Sequence, residues 1–416
     1  MRTVRIGPFT KGMNNRARDG ALPESIFGNT TIRDTARNLV NMNIDAQGIG
    51  KKRVGMTKVY SGVRPRGGFD CPSGTFFVEA GALKQFNDDY TATILYTGLT
   101  GSYQAFHYFN DVVYFSDGVA NLKITGGVAA KWGITPPVAP LVSRVAGTYG
   151  AGKYLVAYVW VDSNGVESGA SYVVSIDVLD DSGFTFHDLP LSSDPQVSTL
   201  RIYLSTANGS AMYHVADTNS SSYTITAGRY DNSNILEGVG IYPPPPGRII
   251  RTYNARIFIA DDYGNLWHSQ PYSFDQFRLA DAYHSMGDVI NVMEPVKSGI
   301  FAATDRETYF LAGDVEDGFD VQKKLDYGAV YDTGLPVPNS NNVCWQSQRG
   351  LVVGAPDGSC KNLVEENVAV ETAKSGATLI METDGVRIFI ASLHSPTVSP
   401  MAAKSFVEAE ETRRGV

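Results

Sequence analysis

The residues able to do chemistry in this 416-residue chain are scattered. The densest carboxylate run is Asp314–Asp320 (DVEDGFD), preceded by Asp305 and Glu307. Calcium loops place Asp and Asn at fixed alternate positions, a spacing this run lacks. A solvated acidic turn is the reading it favours, since carboxylates mostly stay exposed. Six histidines, His107, His187, His214, His268, His284 and His394, stand apart without HxH or HExxH, so no pair has metal-ligand spacing. There is no GxSxG, and Gly62–Gly68 lacks the Lys-Ser/Thr of a phosphate loop. Cys71, Cys344 and Cys360 form no CxxC and read as free thiols of a protein assembled in a reducing compartment. The stretch that organises the rest is Arg251–Ser269, RTYNARIFIADDYGNLWHS. It reads as an apolar strand, an acidic turn with Gly264, and a short strand ending at Trp267, which is a hairpin signal.

Within it, Ala260–Trp267 (ADDYGNLW) resembles the Asp box of sialidase-like propellers, Ser/Thr-x-Asp-x-Gly-x-Thr-Trp, with Asp262, Gly264 and Trp267 at the matching positions. In that family the box folds a hairpin, so the resemblance implies fold-determining turn residues. Catalysis would need partners such as an arginine cluster and a tyrosine–carboxylate nucleophile pair. The expectation is therefore no catalytic residue, no cofactor and no metal.

The elements that hold this turn repeat along the chain. Units of the form "apolar strand, polar or Asp/Gly turn, short strand" begin at Phe76, Val112, Arg256, Gly299, Leu351 and Val386. Four of the five intervals lie near the roughly 40–50 residues of a propeller blade. The long one, Val112 to Arg256, holds about 110 extra residues, bounded by the Pro-rich runs Gly133–Pro140 and Tyr242–Gly247. Such runs are semi-rigid spacers expected where a domain enters a loop. Between them, Lys153–Val161, Ser171–Val178, Leu200–Ser205, Met212–Ala216 and Ser222–Thr226 read as strands of a β-sandwich. That stretch also resembles the fibronectin type III-like modules inserted in phage tail proteins.

The sequence thus predicts an all-β protein: a β-propeller of five or six blades with an inserted fibronectin type III/Ig-like sandwich and an N-terminal extended arm, the alternative for residues 1–50 being a cap packed on its own domain. The expected boundaries are 1–50 for the arm, 51–133 and 247–400 for the propeller, 134–246 for the sandwich and 401–416 for a charged tail. A short helix is expected around Thr35–Asn41, and the last unit, Thr378–Ser392, is a candidate to close the ring on a strand near the N-terminus. Charge is uneven: residues 1–66 carry a balance of +9 and the remainder −17. A basic leader on an acidic body implies that the two meet different surroundings, or each other. With no apolar leader after Met1-Arg-Thr-Val-Arg and no run approaching a membrane span, the expectation is a soluble protein made in the cytoplasm, without a membrane anchor.

The leader GPFTKGMNNRARDG followed by RDTARNLVNMNIDAQGIGKKRVGMTKV resembles the start of tail nozzle (tail hub, packaged-DNA stabilisation) proteins of short-tailed bacteriophages, with Ala36, Asn38, Asn43, Asp45, Gly48, Arg53 and Gly55 at the matching positions. Gln348–Val370 resembles a late blade of that family. The resemblance implies a structural virion protein in the tail: a homohexameric ring below the portal and adaptor, attached to distal tail or fibre proteins. It also implies that genomic DNA passes through without sequence-specific binding and that the ring retains it until ejection. An acidic body suits such a passage, since each cationic contact to phosphate adds affinity. Arg33, Arg37, Lys51, Lys52 and Arg53 are the expected assembly contacts. The alternative from another class is a glycan-binding or glycan-cleaving propeller with an accessory module.

Overall fold

The computed structural model describes residues 3–6, 9, 12–17, 22, 24–27, 30–37, 42–44, 47–52, 57–228, 230–370, 373–383 and 386–394. Among them there is no helix, and hence none long and apolar enough to cross a membrane. The chain divides into two compact units, Gly62–Ser285 and Met1–Ser61 with Met286–Val416.

The Gly62–Ser285 unit contains three antiparallel meanders. The first is Arg66–Cys71, Gly74–Glu79, Ala82–Phe86 and Ala92–Thr97; the second is Ala105–Phe109, Val112–Ser116, Asn121–Thr125 and Val128–Lys131. The third is Ile249–Tyr253, Arg256–Ala260, Asn265–Gln270 and Ser273–Phe277, with Tyr283–Ser285 also on the 265–270 strand. Aromatic and β-branched residues fill the space between meanders, because twisted sheets packed face to face leave wide gaps. Phe69 stacks on Phe106 at 5.4 Å between the first and second. Between the second and third, buried Trp132 lies 4.7 Å from Tyr114 and donates its indole N–H to the Phe274 carbonyl.

The sandwich sits between the second and third meanders. Its three-stranded sheet runs Leu141–Tyr149, Ser182–His187, Tyr223–Ile225; its five-stranded sheet runs Val174–Val178, Gly152–Asp162, Val197–Ser205, Met212–Thr218, Asp231–Ile235. Alternate residues of both sheets, among them Tyr154, Val156, Tyr158, Phe184, Phe186 and Ile202, form its core. The two Pro-rich connectors lie side by side. A Cβ on Gly133 (φ +83°) would meet Pro243 at 2.9 Å, and Tyr242 exchanges both backbone hydrogen bonds with Phe277 at 2.8 Å. Entry and exit through one narrow neck let a module be inserted without breaking the host sheets.

The other unit holds two more meanders. The fourth is Val292–Val296, Gly299–Ala303, Thr308–Ala312 and Asp320–Leu325; the fifth is Leu335–Pro336, Val343–Ser347, Gly350–Gly354 and Cys360–Asn362. They share a core around Phe301, Phe310 and Trp345. The long hairpin Ser375–Thr383/Val386–His394 follows.

In all five meanders the second strand is the most buried. The outer strands of the first, second, fourth and fifth have no fully buried residue. This inside-to-outside gradient, repeated on four-stranded meanders, makes the fold all-β and propeller-like. The second strands begin at 74, 112, 256, 299 and 343, intervals of 38, 144, 43 and 44 residues.

The fifth unit corrects the sequence reading. Leu351 lies on a third strand, and the inner one is Val343–Ser347, whose polar-looking VCWQS is wholly buried. Among the described residues the final hairpin pairs within itself and bridges through Ser375 to Tyr331, and not to an N-terminal strand. The expected helix is absent over its described part: Ala36 bridges to Met13 and Arg37 lies in a bend, while residues 38–41 fall outside the described residues.

The N-terminal segment is extended, with a sheet of Thr3–Ile6, Thr30–Arg33 and Glu24–Phe27 and a short hairpin Met42–Ile44/Gly50–Lys52. It is fastened to its own unit. Asn15 donates from Nδ2 to the Ala369 carbonyl at 3.0 Å and accepts the Ala369 N–H at 2.6 Å, and Thr31, Asp34, Thr35 and Ala36 are buried. The 401–416 tail lies outside the described residues.

Candidate functional site

The turns joining second to third strands lie at one edge of their sheets, and in the second to fifth meanders each is held by a side-chain acceptor. In the second meander Asp117 accepts the N–H groups of Gly101, Val119 and Ala120 at 2.6–2.8 Å. In the third, Asp261 accepts those of Tyr263 and Asn265, the Asn265 side-chain amide, and the Trp267 indole N–H at 2.8 Å. In the fourth Thr304 serves Arg306 and Glu307, and in the fifth Ser347 serves Arg349, while Asp357 holds the next turn through Ser359. These are Asx- and ST-type turns in which a short side chain replaces a backbone acceptor.

This geometry reassigns one residue of the Asp-box resemblance. Gly264 has φ +80°, the left-handed conformation glycine adopts without steric cost, and Trp267 ties the strand back to the turn. The carboxylate that organises both is Asp261, which is buried, whereas Asp262 points outward.

Asp262 instead joins a small polar node. Tyr103, 159 residues earlier, donates its hydroxyl to Asp262 Oδ1 at 2.6 Å. Arg248 lies 5.1 Å above the Tyr103 ring and 3.8 Å from the same carboxylate oxygen. This supplies the tyrosine–carboxylate contact that catalysis by such a fold would need, together with one arginine. A second contact of the kind is Tyr309 with Glu307, which also pairs with Lys323. Burial, reinforced by Asp262, pushes the Tyr103 hydroxyl pKa up, and the hydrogen bond to Glu307 does the same for Tyr309.

Tyr103 also lines a cleft of about 340 Å³ at this edge of the first and second meanders, with Arg64, Arg66, Leu99, Gln104 and Asp117.

The other sequence candidates disperse. Asp305 accepts from Asn291, and the Asp314 carboxylate accepts the backbone N–H groups of Glu316 and Asp317 within its own turn. His107 bonds Thr252, His187 bonds Ser143, and His214 lies 3.1 Å from Asp217. Among the described residues no three His, Cys, Asp or Glu converge as a metal site. The three cysteines are unbridged, and burial pushes the Cys344 thiol up to about 12. Of the expected assembly contacts, Arg37, Lys51 and Lys52 are exposed, Arg33 is half-buried, and Arg53 lies outside the described residues. Sequence reasoning missed Arg248, the Arg64–Arg66 pair and the link from Tyr103 to Asp262; by sequence the Tyr103–Tyr114 aromatics read as blade filling or a stacking surface for sugars or bases. The run VRPR was the only signal for the pair, and nothing local links Tyr103 to Asp262.

No protein-family model and no curated protein matches the chain. Among solved structures it is similar to BBS1N in complex with ARL6DN, at 10% identity over 80% of this chain and 92% of that one, with a TM-score of 0.30. KlHsv2 with loop 6CD replaced by a Gly-Ser linker is similar at 6% identity, over 78% and 94% of the two chains, with a TM-score of 0.25. Saccharomyces cerevisiae Sqt1 is similar at 9%, over 69% and 91%, with 0.19. Scores this low carry no argument for function, and the description of the fold stands on its own sheet order and register.

Proposed function

We propose that the chain is a non-enzymatic structural protein of a bacteriophage virion: a tail nozzle or hub that assembles as a ring, with six copies implied by the resemblance, around the DNA channel below the portal and adaptor. Distal tail or fibre proteins attach beneath it, and the ring retains the packaged genome and guides its ejection. The observation that carries this reading is the N-terminal segment. It is clamped to its own unit at Asn15 while Arg37, Lys51 and Lys52 stay exposed on a chain whose remainder is strongly acidic. A basic patch on one copy and an acidic surface on the next make a heterologous contact, the kind that closes into rings. The acidic remainder also disfavours lasting contact with DNA phosphates.

The test is mass measurement in solution, with and without the adaptor ring of the same tail. The expected result is a closed ring on the adaptor, abolished by Lys51→Glu/Lys52→Glu in a chain that retains its β-sheet spectrum. A monomer that ignores the adaptor and hydrolyses surface polysaccharide would sink the reading.

A further inference from the structure

The cleft beside Tyr103 has features that a ring component does not require. Arg64 and Arg66 are both exposed on its wall, and neither forms an ion pair among the described residues. Their backbone is fixed. Arg64 holds φ +56° ahead of Pro65, and the Val63 N–H is bound by the Glu79 carboxylate, which Lys84 pairs at 2.6 Å. A left-handed arginine persists only where its surroundings impose it. Gly67 (φ +60°) lies so close to Gln104 that a Cβ would meet the Gln104 Cβ at 2.2 Å, which presses the arginine-bearing strand against the cleft. Two arginines two residues apart on one cleft wall, neither paired with a carboxylate, make a receptor for an external anion. The one acid in the wall, Asp117, is engaged by three backbone N–H groups.

The rest of the cleft points to a body behind that anion. Leu99 and Val78 are apolar, Tyr103 offers a ring, and Thr100 and Gln104 offer hydroxyl and amide groups. Past Tyr103 along the same edge, next to Asp262, Tyr263 is 84% exposed. Sugar rings have apolar faces that lie on aromatic side chains and hydroxyls that need hydrogen-bond partners. At about 340 Å³ the cleft is at the small end of ligand pockets, which run from about 300 to 1,000 Å³.

We propose that this cleft binds an acidic sugar unit of a polysaccharide, its carboxylate on Arg64 and Arg66 and its ring against Leu99 and Tyr103, with the neighbouring unit on Tyr263. The assignment is independent of ring assembly, since every group named lies within one compact unit of one chain.

Calorimetric titration of the full chain tests it, with glucuronate, galacturonate, N-acetylneuraminate, a glucuronate oligosaccharide, glucose and inorganic phosphate as probes. Saturable binding of at least one sugar acid is expected, with none for glucose. Arg64→Gln/Arg66→Gln should weaken that binding by roughly tenfold or more. Tyr263→Ala should weaken the oligosaccharide and leave the single sugar unchanged. Failure of all three sugar acids, binding indifferent to the arginine pair, or phosphate binding as tightly as the sugar acid would overturn the proposal. None of these outcomes bears on whether the chain forms rings.

Discussion

Asp261 and Asp262 are adjacent carboxylates with opposite duties, and their burial separates them. Asp261 is 7% exposed and its charge is met by four N–H donors, so removing it leaves the Trp267 indole and two backbone groups without acceptors. Asp261→Ala is expected to cost about 2–3 kcal/mol, the range for losing charge-assisted bonds in a buried turn. Asp262→Ala removes a half-exposed contact and should cost under about 1 kcal/mol. Urea denaturation of the two variants checks the order, and the reverse order would refute the assignment. The sequence showed an acidic turn, a glycine and a tryptophan, but two neighbouring aspartates look alike until the pleat decides which one faces inward. A second residue-scale prediction concerns His107. Its half-buried ring bonds Thr252, and desolvation, with Arg251 nearby, pushes its pKa down from the ordinary 6.5 to about 3. The unfolded chain therefore binds a proton between these values that the folded chain refuses. The stabilisation is complete above pH 6.5 and falls as pH drops towards 3, by up to about 1.4 kcal/mol per pH unit. His107→Gln should flatten that part of the stability–pH curve, as followed by denaturation at pH 7, 6 and 5.

At the scale of elements, what was legible depended on whether the signal was local. The meander interval and the Pro-bounded insertion are both written in consecutive residues, and the strands follow them closely. The fifth meander was misplaced by one strand because LVVG is more apolar than VCWQS, although the latter is the buried inner strand. Burial in the fifth meander is set by the neighbouring sheet, where Trp345 meets Phe301 at 5.4 Å, and not by its own hydropathy. The polar node at Tyr103 was illegible for the same reason. The N-terminal segment reads as an arm, yet Asn14 and Asn15 fasten it to Asn367 and Ala369, more than 350 positions away. Asn15→Ala removes both bonds to Ala369 at a partly exposed site, so global stability should change by less than about 1 kcal/mol. The local effect should be larger: trypsin is expected to cut after exposed Arg16 several-fold faster in the variant. Equal cleavage rates would mean that the clamp is not what orders the segment.

For the whole molecule, the separation of charge makes ring assembly a question of ionic strength. The balance of +9 over residues 1–66 against −17 over the rest gives each copy a donor and an acceptor surface. Exposed charges attract over about 10 Å at 0.1 M salt and about 3 Å at 1 M. If Arg37, Lys51 and Lys52 carry the contact between copies, sedimentation should show assembly weakening steeply from 0.1 to 1 M salt, while the sheet spectrum of each chain stays unchanged. Charge reversal is a cleaner probe than deleting residues 1–50. Deletion would also remove buried Thr31, Asp34, Thr35 and Ala36 and unsettle the unit they pack in. Lys51→Glu/Lys52→Glu keeps that packing and inverts only the exposed charge. A ring that persists at 1 M salt and in the reversed variant would be held by apolar surface instead, and the basic leader would then face a different partner.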